Sequence, residues 1–286
     1  MGALLEVQDL GVLVKRDGHY LISDVSFQLE KGECLGIVGE SGSGKSTVIK
    51  SIFRLHNSKA IGYEGKALYK GEDLFSKTPK EMGSVRGKEM FMVFQDGMSA
   101  FDPSVKMGNL CTEIVCSHLP LSKEEAREKL CECMSRVSLR DPEKILELFP
   151  FQLSGGMLQR MMISLVLMLN PSVIMADEPT SALDAITQRK VLEDFIHLKK
   201  DHDSAMIFIS HDLGIVKKLC DRVMVMKDGK VVEMGSSMEI FNAPKHEYTK
   251  YLIDTRVRLS QNFKVLMEGL YKENHNDRDQ KRYQVL

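Results

Sequence analysis

The chain has 286 residues, 43% of them apolar, enough for a substantial buried core in one large domain or two small ones. Thirty-nine basic and forty acidic side chains leave a net charge of -1, so no global field draws the protein to nucleic acid or anionic lipid. The longest apolar stretch, Met161–Ala176, is broken by Asn170, Pro171 and Ser172 and falls short of the roughly 20 residues that span a bilayer.

Met1–Leu10 carries Glu6 and Asp9 and lacks the basic start and cleavage site of an export signal, so the expected location is the cytosol. Six scattered cysteines suit reduced thiols there. Cys111, Cys116, Cys131 and Cys133 invite a metal-site reading. Cys-x-Cys on a helix points its sulfurs to opposite sides, however, and the spacing fits no standard zinc pattern, so none is expected.

Short runs of branched residues at Leu4–Val7, Gly11–Val14 and Ser26–Leu29, punctuated by Asp17-Gly18 and Lys31-Gly32, predict a β-rich opening. Cys34–Val38 is a continuous apolar run, followed by a Gly/Ser-rich loop and a helical pattern over Lys45–Leu55. That is how a buried parallel strand feeds a helix. Further buried strands are expected at Met90–Phe94, Val173–Ala176, Ala205–Ile209 and Val223–Met226.

Between the first two of these, residues 97–153 read as a helical insert, with an exposed charged helix over Glu124–Val137. Lys227-Asp228-Gly229-Lys230 signals a hairpin. The chain closes with a helical pattern over Tyr248–Tyr271 and a polar tail from Lys272, which is expected to be disordered. The expectation is an α/β fold with a mostly parallel core sheet and an N-terminal antiparallel β portion. One domain would cover 1–253, and a C-terminal helical extension with its polar tail would cover 254–286.

Gly39-Glu-Ser-Gly-Ser-Gly44-Lys45-Ser46 matches G-x-x-x-x-G-K-[ST] between a predicted strand and helix, the context a phosphate loop requires. Glycines let successive N–H groups face phosphates, and the helix start adds its partial positive charge. Gly39, Ser41, Gly42, Ser43, Gly44 and Thr47 form this cradle; Lys45 reaches the terminal phosphates and Ser46 ligates Mg²⁺. Val173–Ala176 ends in Asp177 and Glu178, placing two carboxylates at the sheet edge where the phosphates lie. Asp177 is expected to hold Mg²⁺ through water, and Glu178 to polarise the attacking water.

Leu153-Ser154-Gly155-Gly156-Met157 ahead of an apolar helix resembles the signature motif of ATP-binding cassette ATPases. The remaining family motifs follow in order. Gln95 resembles the Q-loop glutamine, Ser181-Ala-Leu-Asp184 the D-loop, and His211 the switch histidine. The resemblance implies that Ser154, Gly155 and Gly156 engage the γ-phosphate held by an opposing subunit, sandwiching ATP between chains. It assigns Gln95 to the ion and the helical insert, and His211 to the γ-phosphate.

Two positions depart from the family. Met157 stands where the signature usually has Gln, and Val14, with Tyr20 the nearest aromatic, stands where an aromatic usually stacks on adenine.

Glu33, Gly36 and the loop, together with Pro244-Lys-His246-Glu-Tyr248-Thr249, resemble the ATPases of dipeptide, oligopeptide and nickel importers. Ser154-Gly-Gly-Met-Leu-Gln-Arg160-Met-Met and Ala100-Phe-Asp-Pro103 resemble the branch importing nickel or cobalt on opine metallophores such as staphylopine. Many peptide-importing relatives carry a cysteine cluster in the tail, whereas this sequence has no Cys after Cys220, so an iron–sulfur centre is not expected there. The resemblance implies two membrane permeases, a companion ATPase in a heterodimer, an extracytoplasmic binding protein and a place on the cytoplasmic face of the membrane. It implies no nucleic-acid partner. A di- or oligopeptide is the alternative cargo. A non-transport cassette is disfavoured because no coiled coil, zinc insertion or second cassette is visible, and an exporter because the tail is import-like.

Overall fold

Alternate side chains of Leu5–Val14 (β1) and Tyr20–Leu29 (β2) are buried, so each strand presents one apolar face. The computed structural model describes residues 2–181, 183–201 and 203–255. Cys34–Val38 (β3) is buried at every position and runs into the helix Lys45–Ile52 (α1). Ile61–Tyr69 (β4) and Glu72–Asp73 (β5) complete an antiparallel sheet ordered β2-β1-β4-β5, ahead of the short helix Pro79–Val85 (α2).

After Met90–Val93 (β6), the segment 97–153 is helical: a 3-10 turn at Gly97–Ala100, then Met107–His118 (α3), Lys123–Arg136 (α4) and Pro142–Leu146 (α5). Ser122 and Glu125 form a reciprocal capping box that fixes the start of α4. Gly155–Leu169 (α6) leads into Val173–Asp177 (β7), then Ala185–Asp201 (α7), Ala205–Ile209 (β8), Leu213–Leu219 (α8), Arg222–Lys227 (β9), Lys230–Ser236 (β10) and Ser237–Asn242 (α9).

The main sheet is ordered β10-β9-β3-β8-β7-β6, parallel except for β10. Its two faces feed separate cores. Leu35 and Ile37 of β3 pack with α1 and the antiparallel sheet, while Cys34 and Val38 pack with α6 to α9 and the insert. Three layers result, as expected for an α/β fold.

Several boundaries differ from expectation. Leu4–Val7 and Gly11–Val14 belong to one strand, because Asp9 adopts a left-handed φ of 48° and forms a bulge whose N–H donates to Ser26 Oγ. The helix expected to reach Leu55 stops at Ile52, where Arg54 turns left-handed. β4 carries Glu64, Gly65 and Lys66 in its middle and gives no clear alternation, so it was not anticipated; nor was α2. The hairpin at Asp228-Gly229 forms as expected, both residues having positive φ. The expected C-terminal helix is present over 247–255, and its continuation and the polar tail lie outside the described residues.

α6 and α7 meet across a buried charge pair, Arg160 Nε lying 3.8 Å from Asp194 Oδ2. Burial pushes the Asp194 carboxyl up to about 6, against the opposing pull of Arg160 and His197. A folded-state value above the ordinary one means that the contribution to stability is fully present near pH 4 and is lost as pH rises through 6. Asp194→Asn does not titrate. Urea unfolding should therefore show the variant gaining on the wild type by about 1–3 kcal/mol between pH 4.5 and 7.5. A difference that does not change with pH would contradict the buried-carboxyl account.

Candidate functional site

The loop joining β3 to α1 is pressed against the main sheet. A Cβ on Gly39 would lie 2.3 Å from the Met226 carbonyl oxygen, and one on Gly44, at φ 98°, would lie 2.4 Å from Ile22 Cγ2. Only glycine fits either place. No side chain caps α1 at Gly44, the arrangement in which a bound anion takes the capping role. Lys45 is buried, its Nζ donating to the carbonyls of Gly39 (3.1 Å) and Glu40 (2.7 Å) within the same loop.

The carboxylates arrive from β7. Asp177 is buried and accepts the Ser46 hydroxyl at 2.7 Å, with Lys50 Nζ 3.9 Å from its other oxygen. The next residue, Glu178, turns into the left-handed region at φ 45°, its N–H donating to the Ile209 carbonyl. Such a conformation is costly for a non-glycine residue and persists only where its surroundings hold it. Its effect is to swing the carboxylate away from the strand to His211 Nε2, 2.7 Å from Oε1. Gln95 Nε2 lies 3.4 Å from the other oxygen and donates to Ser181 Oγ at 3.0 Å.

These groups share one cleft of about 420 Å³, lined by Ser41, Gly42, Gly44, Lys45, Ser46 and Thr47 on one side and Gln95, Glu178 and His211 on the other. Gly39, Ser43 and Asp177 do not line the cleft themselves; Gly39 and Ser43 belong to its loop, and Asp177 is tied to it through Ser46. Leu21 also lines the cleft, whereas Val14 and Tyr20 do not; the Tyr20 hydroxyl is 2.8 Å from Glu64.

Ser154, Gly155, Gly156 and Asp184 are not brought into this cleft. Ser154 caps α6 through the Met157 N–H. Gly156 packs so closely on Thr187 that a Cβ would meet it at 2.3 Å. Asp184 accepts the Ile186 and Thr187 N–H groups at the start of α7, bonds that hold its carboxyl below the usual range, the Thr187 side chain foremost.

Sequence reasoning missed Gln159. This nearly buried amide on α6 donates to the carbonyls of Phe94 and Gln95 at 2.9 and 3.0 Å, tying the Gln95 loop to the helix that carries the Ser154 turn. A glutamine within a mostly apolar helix was the available signal. Lys50 was missed as a site residue too, because neither spacing nor residue type marks it, while Ser181 was noted only as the start of the D-loop-like segment and not for its bond to Gln95.

A strand–loop–helix cradle, a hydroxyl against a strand-end aspartate and a glutamate paired with a histidine are the groups that hydrolysis of a nucleoside triphosphate calls for. Residues 22–181 match the family model described as ABC transporter, and the chain belongs to that family and is an ATPase. It is 47% identical over 266 residues to the metal-staphylopine import system ATP-binding protein of Staphylococcus aureus, covering 93% of this chain and 98% of that protein. To the oligopeptide transport ATP-binding protein of Bacillus subtilis it is 45% identical over 250 residues, covering 86% of this chain and 70% of the relative. Among solved structures it resembles an ATP-binding cassette in a dimeric post-hydrolysis state bound to ADP and Pi. There the TM-score is 0.71 and the identity 26%, over 82% of this chain and 98% of the other.

Lys45→Ala removes the buried charge of the loop. ATP affinity measured by titration is expected to fall about 10- to 100-fold. Unchanged affinity would contradict the placement of the phosphates at this loop.

Proposed function

We propose that this ATPase works with Mg²⁺ as one of two cassettes powering a membrane importer of a nickel or cobalt chelate. The observation that carries the chemistry is the convergence of the Lys45 loop, the Ser46–Asp177 contact and the Glu178–His211–Gln95 group on one cleft. Ser46 and Asp177 offer hard oxygen donors side by side, the donor chemistry Mg²⁺ takes, and Gln95 offers a third oxygen from the facing wall. Bound there, the ion would neutralise charge on the β- and γ-phosphates.

Lys45 holds the terminal phosphates as a point charge. Glu178 takes a proton from the attacking water as its oxygen bonds to the γ-phosphorus and the bond from that phosphorus to the ADP oxygen breaks. His211 orients the Glu178 carboxylate and supplies a donor for a γ-phosphate oxygen. Ser154, Gly155, Gly156 and Asp184 lie off this chain's own cleft, which supports a role for them at the nucleotide held by a companion cassette. A heterodimer, two permeases, an extracytoplasmic binding protein and a position on the cytoplasmic face of the membrane complete the reading, with no nucleic acid involved. In keeping with it, no helix among the described residues is long and apolar enough to cross a membrane.

For the cargo, the metal-staphylopine relative supports a metal chelate. Its 98% coverage, against 70% for the oligopeptide relative, favours it over a peptide although the two identities are close. Deletion of the gene is expected to lower cellular nickel and cobalt under metal limitation when the metallophore is supplied, leaving labelled dipeptide uptake intact. Normal metal with lost peptide uptake would reverse the assignment of cargo.

The chemistry has its own test. Glu178→Gln is expected to retain ATP binding while single-turnover hydrolysis falls about 10²–10⁴-fold. A wild-type single-turnover rate would remove Glu178 from its role.

A further inference from the structure

The phosphate loop is gripped from outside the nucleotide site by a residue near the end of the described chain. Tyr248, in the helix 247–255, is buried, and its hydroxyl accepts the backbone N–H of Glu40 at 3.1 Å across 208 positions of sequence. The carbonyl of that same peptide unit, Gly39's, accepts Lys45 Nζ at 3.1 Å, and the next carbonyl along, Glu40's, accepts Lys45 Nζ (2.7 Å) and the Ser43 N–H (3.2 Å). One peptide unit is thus held at its N–H by Tyr248 and at its carbonyl by the lysine that meets the phosphates. Glu40 itself does not line the cleft, so its N–H is spent on the anchor and not on the nucleotide.

Tyr248 is in turn fixed by the β9–β10 hairpin. Glu233 on β10 accepts the N–H groups of Lys245 (2.8 Å) and His246 (3.0 Å), setting where the helix begins. Burial raises the Glu233 carboxyl, but bonds from Thr249, Lys245 and His246 outweigh it and hold the group below its usual range. The hairpin's Lys227 places Nζ 5.1 Å above the Tyr248 ring, and Met226, one residue earlier, is the neighbour that admits only glycine at position 39. Hairpin, helix and loop therefore close on one another around Glu40.

We propose that Tyr248 is a positioning residue for nucleotide binding, holding the phosphate loop in its binding conformation through Glu40, with Glu233 as the anchor of Tyr248. This rests on the Lys45 loop being the ATP site. A phosphate loop must hold several N–H groups in one orientation before the anion arrives, and whatever is not prearranged is ordered at the expense of affinity. One neutral hydrogen bond sets the scale, about three- to tenfold in Kd. The contact bears on the loop that holds the phosphates and not on Glu178 or His211, so binding should suffer and the chemical step should not.

The test uses the full chain. Tyr248→Phe keeps the ring and its contact with Lys227 and removes only the hydroxyl. The expected result is a three- to tenfold weaker Kd for both MgATP and ADP by titration, with kcat retained within about twofold while KM rises by the same factor as Kd. Amide exchange at Glu40 in the nucleotide-free protein should accelerate, while exchange in β3 stays at the wild-type rate. Glu233→Gln should move Kd in the same direction, and the double variant should be no weaker than Tyr248→Phe alone. Wild-type affinity and unchanged Glu40 exchange in Tyr248→Phe would overturn the proposal while leaving the ATP site standing. Additive losses in the double variant would overturn the role of Glu233. A wild-type protein that binds neither nucleotide would overturn the proposal together with the site on which it rests.

Discussion

Parallel pairing of β3, β8 and β7 fixes where the groups of the cleft emerge. Hydrogen-bonded register sets Cys34 beside Met206 and Val173 beside Ala205, so all three strands end at the same edge. From that edge emerge the phosphate loop, the Asp177–Glu178 pair and, two residues beyond β8, His211. A one-residue slip would reverse the faces of buried strands and carry Asp177 away from Ser46, so the burial of β3, β7 and β8 is also what aligns the chemistry.

Around that edge the groups pair with one another. Lys45 donates to its own loop, Ser46 to Asp177, and Glu178 is bridged to His211. Each of these charged or polar partners is of the kind a phosphate, a divalent cation or a water molecule would exchange for. Gln159 adds a mechanical link: it clasps the backbone of Phe94 and Gln95 from α6, so the wall of the cleft and the Ser154 turn are parts of one body. Gln95 and the Ser154 turn are thereby connected through two hydrogen bonds.

Much of this was legible in the sequence for definite reasons. Continuous apolar runs such as Cys34–Val38 and Ala205–Ile209 report burial on both faces and hence a parallel core, and Gly39–Ser46 between strand and helix reports a phosphate loop. What escaped was set by tertiary context. β4 is a strand because β1 offers it an edge, not because Glu64-Gly65-Lys66 favours one. The left-handed Glu178 that turns its carboxylate to His211 has no mark in residue type. Tyr248 and Glu40 are 208 positions apart, and no local pattern announces their contact. Val14, which stands where the family usually has an aromatic, does not line the cleft, and aliphatic Leu21 does.

The proposed function requires the parallel edge to focus one set of groups on the terminal phosphate of ATP. The most direct measurement is a structure of this protein with MgATP bound. The β- and γ-phosphates are expected in the Gly39–Ser46 loop, with Lys45, Gln95, Glu178 and His211 all within hydrogen-bond reach of the γ-phosphate or its attacking water. Nucleotide seated elsewhere, or a γ-phosphate facing away from Glu178 and His211, would contradict it.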